Sequence, residues 1–296
     1  MRSRKLKGTP HTIRRRTLVV LLVALTGVAA VACSSGGQVK TPTTVSGAAD
    51  GGKLTIGISF DQPGLGYKEG DSSGAGSYSG FDVDTAIYVA QALGVPKENI
   101  TWVQADLADR ETLLENGDVD MVFSTYSITD DRKKVVDFAG PYFLAHQDLL
   151  VRRNETDITG PDTLNGRVLC SVTGTTSSQY IKDHYLGKIT LTEYPRYSDC
   201  VAALANSQVD AVTTDDVILA GFAAQDQYKG KLKLVGHGFT DERYGVGIPK
   251  GDTDRVNQVN DALKQYIADG SWKAALDATV APSGYSIPDP PTPGTA

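Results

Sequence analysis

The chain has 296 residues, of which 40% are hydrophobic and 22% charged, a composition that excludes collagen-like and disordered proteins. The first 32 residues contain seven basic residues and no acidic one, so the rest carries 22 basic and 35 acidic residues, a net charge of −13. Nucleic acids and anionic lipids are bound by lysine and arginine, so we expect this chain to bind neither directly. The length exceeds the usual ~100 to 200 residues of one domain and favours two lobes.

The N-terminus combines a basic stretch with an apolar run that ends at Ala32. That run is shorter than the ~20 residues needed to span a bilayer, so we interpret residues 1–32 as a cleavable export signal. Cys33 follows small residues and resembles the acylated cysteine of bacterial lipoproteins. A plain secretory signal with an unmodified Cys33 is the alternative. Residues 33–52 are rich in Gly, Ser and Thr and predict a flexible tether.

Cys170 and Cys200 are the other two cysteines, and they lie in a segment that we expect to be exported. Paired cysteines in an exported protein favour a disulfide, with two buried thiols as the alternative. Residues 282–296 contain five prolines and predict an unstructured tail. The folded body is therefore expected at about residues 53–281.

Strand and helix patterns alternate along the first part of the body. Residues 54–59 favour a strand, and apolar residues at helical spacing follow until Gly94. Asp109 is a candidate N-cap of a short helix that ends at Gly117, and residues 119–123 predict the next strand. This alternation is typical of an α/β protein.

Two segments 90 residues apart repeat this unit. Residues 114–122 and 204–212 share a helix end, a polar break and a strand that contains Val-Asp. The match predicts two lobes of similar α/β construction, and the cleft between them is the expected ligand site.

Arg132 is the most informative candidate for ligand binding. Thr129 can cap a helix whose first turn contains two aspartates and Arg132. An arginine at the positive end of a helix needs a counter-anion, and a guanidinium beside backbone N–H groups binds a carboxylate well. The alternative is a surface ion pair of Arg132 with Asp131 or Asp137.

A second anion site is predicted at residues 173–178, a Gly-containing turn that opens a helix. Asp215 lies at the end of a predicted strand, where α/β sheets place ligand-binding residues. Two receptors for a carboxylate and one carboxylate for an amine together describe a site for an amino acid.

Seven motifs are spread over nearly the whole body, at residues 80–86, 119–121, 125–132, 137–142, 174–176, 209–215 and 244–251. Together they resemble the extracellular solute-binding proteins of polar amino-acid ABC importers. The resemblance implies an α/β, two-lobed, periplasmic-binding-protein-like fold with a ligand cleft between lobes joined by two crossover strands. It places lobe 1 at residues 53–145 and 244–281 and lobe 2 at residues 146–243.

The same resemblance implies roles for individual residues: Arg132 with Thr175 or Thr176 for the α-carboxylate of the ligand, and Thr125, Ser127 and Asp215 for its amine. Segments 61–66, 110–117, 169–172 and 198–200 resemble in particular the actinobacterial glutamate-binding lipoproteins. This implies that Asp61 belongs to the ligand-binding residues and that Arg110 binds the distal carboxylate of glutamate. Lys68 and Tyr197 are weaker candidates for that end of the ligand.

The expected function is therefore that of a monomeric, lipid-anchored binding protein on the extracellular face of the cytoplasmic membrane. It would close on L-glutamate or L-aspartate and deliver it to the permease and ATPase of an importer, without enzymatic activity, cofactor or metal. An amino-acid-loaded sensor and a periplasmic dehydratase on the same fold are alternatives. Residues 70–74 match the Gly-x-Ser-x-Gly motif of serine hydrolases, but they lie in a Gly/Ser-rich loop instead of between a strand and a helix.

Overall fold

A computed structural model describes residues 40–42, 44, 52–70, 76–185 and 187–296. The predicted export signal, the lipidation site at Cys33 and most of the predicted tether lie outside these residues. Within the described part of the chain, no helix combines the length and the apolar character needed to cross a membrane.

Strands and helices alternate as the sequence predicts. The strands of the described residues are β1 (Leu54–Ile58), β2 (Asp61–Gln62), β3 (Gly66–Glu69), β4 (Ser77–Ser79), β5 (Ile100–Gln104), β6 (Met121–Phe123), β7 (Val136–Ala145), β8 (Gln147–Arg152), β9 (Val168–Val172), β10 (Thr190–Tyr194), β11 (Ala211–Asp215), β12 (Leu232–Leu234) and β13 (Glu242–Pro249). The α-helices are α1 (Phe81–Ala92), α2 (Arg110–Glu115), α3 (Thr176–Tyr185), α4 (Tyr197–Ala205), α5 (Asp216–Ala224), α6 (Thr253–Ala268) and α7 (Ser271–Thr279).

Two five-stranded sheets define two lobes. Lobe 1 is built on the sheet β5-β1-β6-β13-β7 and lobe 2 on the sheet β10-β9-β11-β8-β12, while β2, β3 and β4 form a small third sheet. In both large sheets the first three strands run parallel, and each of the last two runs antiparallel to its neighbours. The chain leaves lobe 1 at His146 and returns after β12. The predicted α/β, two-lobed fold is confirmed.

The repeated segments make the same backbone contact in the two lobes. In lobe 1, Asp120 exchanges two hydrogen bonds with the backbone of Thr55 at the start of β1, one through its carboxylate at 2.6 Å. In lobe 2, Asp210 does the same with the backbone of Val168 at the start of β9, with a carboxylate distance of 2.8 Å. Each aspartate fixes the start of the adjacent parallel strand, which explains why the Val-Asp pattern recurs.

The core of lobe 1 is aromatic. Helix α1 buries most of its residues, and the Phe81 ring at its first turn lies 5.6 Å from Phe143 and 6.0 Å from Tyr142, measured between ring centres. Offset and tilted aromatic pairs of this kind contribute about 0.5 to 1.5 kcal/mol each beyond the area they bury. These ring contacts hold α1 against strand β7 of the lobe 1 sheet.

The predicted disulfide is confirmed. Cys170 on β9 and Cys200 on α4 are bonded, with Cα atoms 5.6 Å apart, and both residues are fully buried. The bond attaches helix α4 to β9, the second strand in the order of the lobe 2 sheet.

The region around Arg132 differs from the prediction. Residues Arg132–Lys134 form a short 3₁₀ helix instead of an α-helix, although the Thr129 hydroxyl does accept a hydrogen bond from the backbone N–H of Arg132 at 3.2 Å. Asp131 pairs with Lys134, Asp137 with Lys250 and Arg132 with Glu111, so the alternative surface ion pair of Arg132 with Asp131 or Asp137 does not form. The side chain turns inward and is buried.

The expectation of an unstructured C-terminal tail is wrong in one respect, because the tail makes specific contacts with the folded body. Residues 285–296 contain no helix or strand, as their composition predicts, but they pack on the folded body. The Tyr285 hydroxyl donates to Asp216 of α5 at 3.0 Å, and its ring lies against Phe143 of β7. The backbone of Gly294 donates to the carbonyl of Gly140 at 2.8 Å. Proline lacks an N–H and prevents regular structure, yet it does not prevent docking.

Candidate functional site

A narrow cavity with about 10 Å³ of free volume lies between the two lobes. Its lining includes seven of the eight ligand-binding residues suggested by the sequence, namely Arg110, Thr125, Ser127, Arg132, Thr175, Thr176 and Asp215. They come from the loops and helix starts at the carboxyl ends of β6, β9 and β11 and from α2. A larger groove lies between α5 and the C-terminal residues, but none of the eight suggested residues lines it.

Arg110 is anchored in the wall of lobe 1. Its guanidinium donates to the backbone carbonyls of Leu107, Ser124 and Thr125 at 2.9 to 3.2 Å, and it lies 4.4 Å from the centre of the Tyr126 ring. Only 2% of the residue is exposed. Burial, followed by the nearby charge of Arg132, lowers the pKa of Arg110 to about 10, so the group remains cationic at neutral pH.

Arg132 lies on the same wall. Its Nε pairs with Glu111 at 3.1 Å, its Nη1 donates to the carbonyl of Ser127 at 2.7 Å, and its guanidinium is 4.9 Å from the centre of the Tyr126 ring. The two arginines therefore share one aromatic ring, which is favourable for cations. Glu111 is the partner that sequence reasoning missed, because the contact joins α2 to a loop 21 residues away.

Lobe 2 reaches both arginines through the backbone carbonyl of Gly174. This oxygen accepts a hydrogen bond from Arg132 Nη2 at 3.0 Å and from Arg110 Nη2 at 3.3 Å. Gly174 has a φ of +78°, and a Cβ there would lie 2.6 Å from Cα of Ala108, so glycine is required by both conformation and space. The two lobes are thus in direct contact beside the cavity.

The two candidate threonines at the start of α3 have their hydroxyl protons engaged elsewhere. Thr175 Oγ1 donates to the carbonyl of Val172 at 2.7 Å and accepts from the N–H of Ser178 at 3.0 Å, which caps the helix. Thr176 Oγ1 donates to Glu242 at 3.0 Å. The first N–H groups of a helix lack partners within the helix, so the backbone of α3 is the better donor for an anion on this side.

Asp215 provides the acidic end of the cavity. It ends β11, is buried, and accepts hydrogen bonds from the Tyr244 hydroxyl and, at 3.5 Å, from Ser177. Burial raises the pKa of Asp215 well above its usual value, and the charge of Glu242 raises it further. A cationic group in the cavity would relieve both effects.

Asp82 supports the cavity wall from beneath, and sequence reasoning did not single it out. Its fully buried carboxylate accepts from the N–H of Thr125 at 3.0 Å and from the Tyr142 hydroxyl at 2.7 Å. Thr125 has a φ of +41°, an unusual value for a residue with a side chain. Asp82 holds this conformation, which turns the Thr125 carbonyl toward Arg110.

The remaining candidates fall into two groups. Asp61 does not line the cavity; its carboxylate accepts from the N–H of Ser198 at 3.0 Å in the first turn of α4, and burial raises its pKa. Lys68 is also outside, with its Nζ 5.4 Å from the centre of the Phe60 ring. Tyr197 does line the cavity, and its buried hydroxyl has no hydrogen-bond partner among the described residues.

The cavity is thus cationic on the wall of lobe 1 and acidic where β11 ends. In the described part of the chain, no group of three or more His, Cys, Asp or Glu residues is placed to hold a metal ion. The donors and acceptors suit a small zwitterion: a guanidinium pair and helix N–H groups for carboxylates, and a buried aspartate for an ammonium group.

Residues 54–278 match the bacterial extracellular solute-binding proteins, family 3. The chain belongs to this family. The glutamate-binding protein GluB of Corynebacterium glutamicum is 41% identical over 278 residues, which cover 90% of each chain. GluB of Corynebacterium efficiens is 43% identical over 264 residues, 85% of this chain and 86% of its own. An ancestral arginine-binding protein bound to arginine aligns with a TM-score of 0.70 and 29% identity, over 77% of this chain and 98% of the other. The family suggested by the motifs is confirmed.

Proposed function

We propose that this protein binds L-glutamate, with L-aspartate as the nearest rival. The observation that carries the proposal is the pair Arg110 and Arg132 on one wall of a cavity that also contains Asp215. An amino acid with a second carboxylate would bring one carboxylate to each arginine and its ammonium group to Asp215. A cationic side chain such as that of arginine would meet like charges instead. The glutamate-binding relatives support this choice.

Calorimetric titration of the purified protein with glutamate, aspartate, glutamine and arginine tests the proposal. Glutamine lacks the distal charge, and loss of one charged hydrogen-bonding partner costs about 1 to 3 kcal/mol, or roughly 5- to 150-fold in affinity. We expect glutamate to bind most tightly. The variant Lys68→Ala is a matched control, because this cation lies outside the cavity and its loss should leave the affinity unchanged. Tighter binding of glutamine or arginine would contradict the assignment.

We also propose that Cys33 is acylated and anchors the protein to the extracellular face of the cytoplasmic membrane. One acyl chain gives only marginal membrane binding, whereas two or more give stable anchoring. Cys33→Ser should therefore release the protein into the medium and abolish incorporation of a labelled fatty acid. Membrane retention of the variant would be evidence against the anchor.

We further propose that the protein serves an ABC importer as a binding component without catalysis. Deletion of its gene should abolish uptake of labelled glutamate, and restored expression should recover it. Normal uptake after deletion would favour the sensor role. Glutamate recovered chemically unchanged after prolonged incubation with the protein separates a binding protein from a dehydratase-like enzyme.

A further inference from the structure

Glu242 is a buried carboxylate at the start of β13, on the second crossover between the lobes. Its Oε2 accepts a hydrogen bond from Thr176 at 3.0 Å, and its Oε1 accepts one from Thr240 at 3.0 Å. Among the described residues, no lysine, arginine or histidine forms an ion pair with it. Burying a carboxylate without a cationic partner costs free energy of folding. The two hydroxyl donors and the position beside the cavity therefore indicate a specific role for Glu242.

The contact with Glu242 fixes the direction of the Thr176 hydroxyl. An ionised carboxylate only accepts hydrogen bonds, so Thr176 gives its single hydroxyl proton to Glu242 and keeps only lone pairs for another partner. Thr176 lines the same cavity as Asp215. An oxygen that can only accept suits an ammonium group, which only donates, and does not suit a carboxylate.

We propose that Glu242 is a positioning residue for the amine end of the ligand: through Thr176 it presents an acceptor in the cavity that Asp215 also lines. The site then selects an amino acid over the same molecule without its amine. This inference rests on the proposed function. The family resemblance puts Thr175 or Thr176 at the α-carboxylate, whereas this inference assigns the Thr176 hydroxyl to the amine.

Glu242→Gln tests the proposal because it keeps the size of the side chain but adds an amide N–H₂ that can donate to Thr176. The hydroxyl proton can then turn toward the cavity. We would measure the affinities of L-glutamate and of glutarate, its analogue without the amine, by calorimetry. The preference for glutamate should fall about tenfold to a hundredfold, mainly because glutamate binds more weakly. A purely structural defect would weaken both ligands alike and leave their ratio unchanged.

Thr176→Val and the double variant separate a relay through the hydroxyl from a direct effect of the Glu242 charge. If Glu242 acts through the Thr176 hydroxyl, Thr176→Val lowers the preference for glutamate over glutarate by a similar factor. Adding Glu242→Gln then lowers this preference little further. Additive losses would overturn the proposal. Glu193→Gln is the matched control, since Glu193 also accepts from a hydroxyl of α3, that of Ser178 at 2.6 Å, but does not line the cavity.

The outcomes distinguish this inference from the proposed function. A wild type that does not bind glutamate contradicts the proposed function, and the inference falls with it. A wild type that binds glutamate with a ratio that neither variant changes overturns the inference alone. If Glu242→Gln does not fold, Thr176→Val decides by itself: the ratio must fall at least about tenfold for the proposal to stand.

Discussion

The two lobes share a frame and differ in what they bring to the cleft. Each is a five-stranded sheet with the same sequence of parallel and antiparallel neighbours, and each fixes the second strand in its order, β1 or β9, with an aspartate, Asp120 or Asp210. Lobe 1 places Arg110 and Arg132 against one ring, whereas lobe 2 ends its third strand at Asp215. The sheet topology is the same in the two lobes, but the charges at the cleft differ.

The difference shows how such a site can depend on both lobes. The arginines of lobe 1 donate to backbone carbonyls, one of which, that of Gly174, comes from lobe 2, and Arg132 also pairs with Glu111. Among the described residues, Asp215 accepts from the hydroxyls of Ser177 and Tyr244. A zwitterion that takes its carboxylates to one wall and its ammonium group to the other gains contacts that exist only while the lobes are together. Such a ligand would favour the closed arrangement by that difference in affinity.

The largest expected effects come from removing one charge from each lobe. Loss of one partner of a desolvated charge pair costs about 2 to 5 kcal/mol, so Arg132→Ala and Asp215→Ala should each weaken glutamate binding roughly 30- to several-thousand-fold. The loss should appear mainly as faster dissociation in stopped-flow measurements. Small-angle scattering should show that glutamate compacts the wild type but neither variant. Normal binding and compaction by both variants would mean that the ligand lies elsewhere.

Lobe 2 also has a covalent link that has no counterpart among the described residues of lobe 1. The bond Cys170–Cys200 closes a loop of 30 residues, which contributes about 3 to 4 kcal/mol by the chain-entropy estimate. Replacing both cysteines by alanine should lower the free energy of urea unfolding by that amount. A reducing agent should destabilise the wild type equally and leave the double variant unchanged. If reduction does not change the unfolding free energy of the wild type, the disulfide contributes nothing to stability.

Lobe 1 contains instead a buried carboxylate, Asp82, whose protonation affects the stability of the protein. Burial raises its pKa from 3.8 to about 6, so between these values the folded protein binds a proton that the unfolded chain releases. Its contribution to stability is therefore fully present below about pH 4 and is lost as the pH rises through 6, by about 3 kcal/mol in all. Asp82→Asn removes this titration. The difference in unfolding free energy between wild type and variant should follow that curve, because all other groups are common to both proteins; a flat difference would contradict it.

The sequence was most informative where a residue is locally out of place. Arg110 and Arg132 both occupy the first turn of a short helical segment, where a cation is unfavourable, and both line the cavity. Glu242 gave no local signal, because its partner Thr176 is 66 residues away and the contact exists only after both lobes have formed. The docking of Tyr285 was missed for the same reason: composition reports on local structure and not on contacts with a distant helix.

The smallest expected effects compare the two strand-fixing aspartates directly. Asp120→Ala removes an exposed carboxylate that accepts from Thr55, which should cost about 0.5 to 1.5 kcal/mol of unfolding free energy. Asp210 is half-buried and also lies 3.7 Å from Arg152, so Asp210→Ala should cost more, about 1.5 to 3 kcal/mol. The Asn variants keep an acceptor oxygen without the charge. They should recover most of the loss at position 120 and less at position 210, where the charge faces an arginine. Equal losses in the two lobes, or full recovery by Asn at both positions, would mean that the repeated contacts are equivalent in energy as well as in geometry.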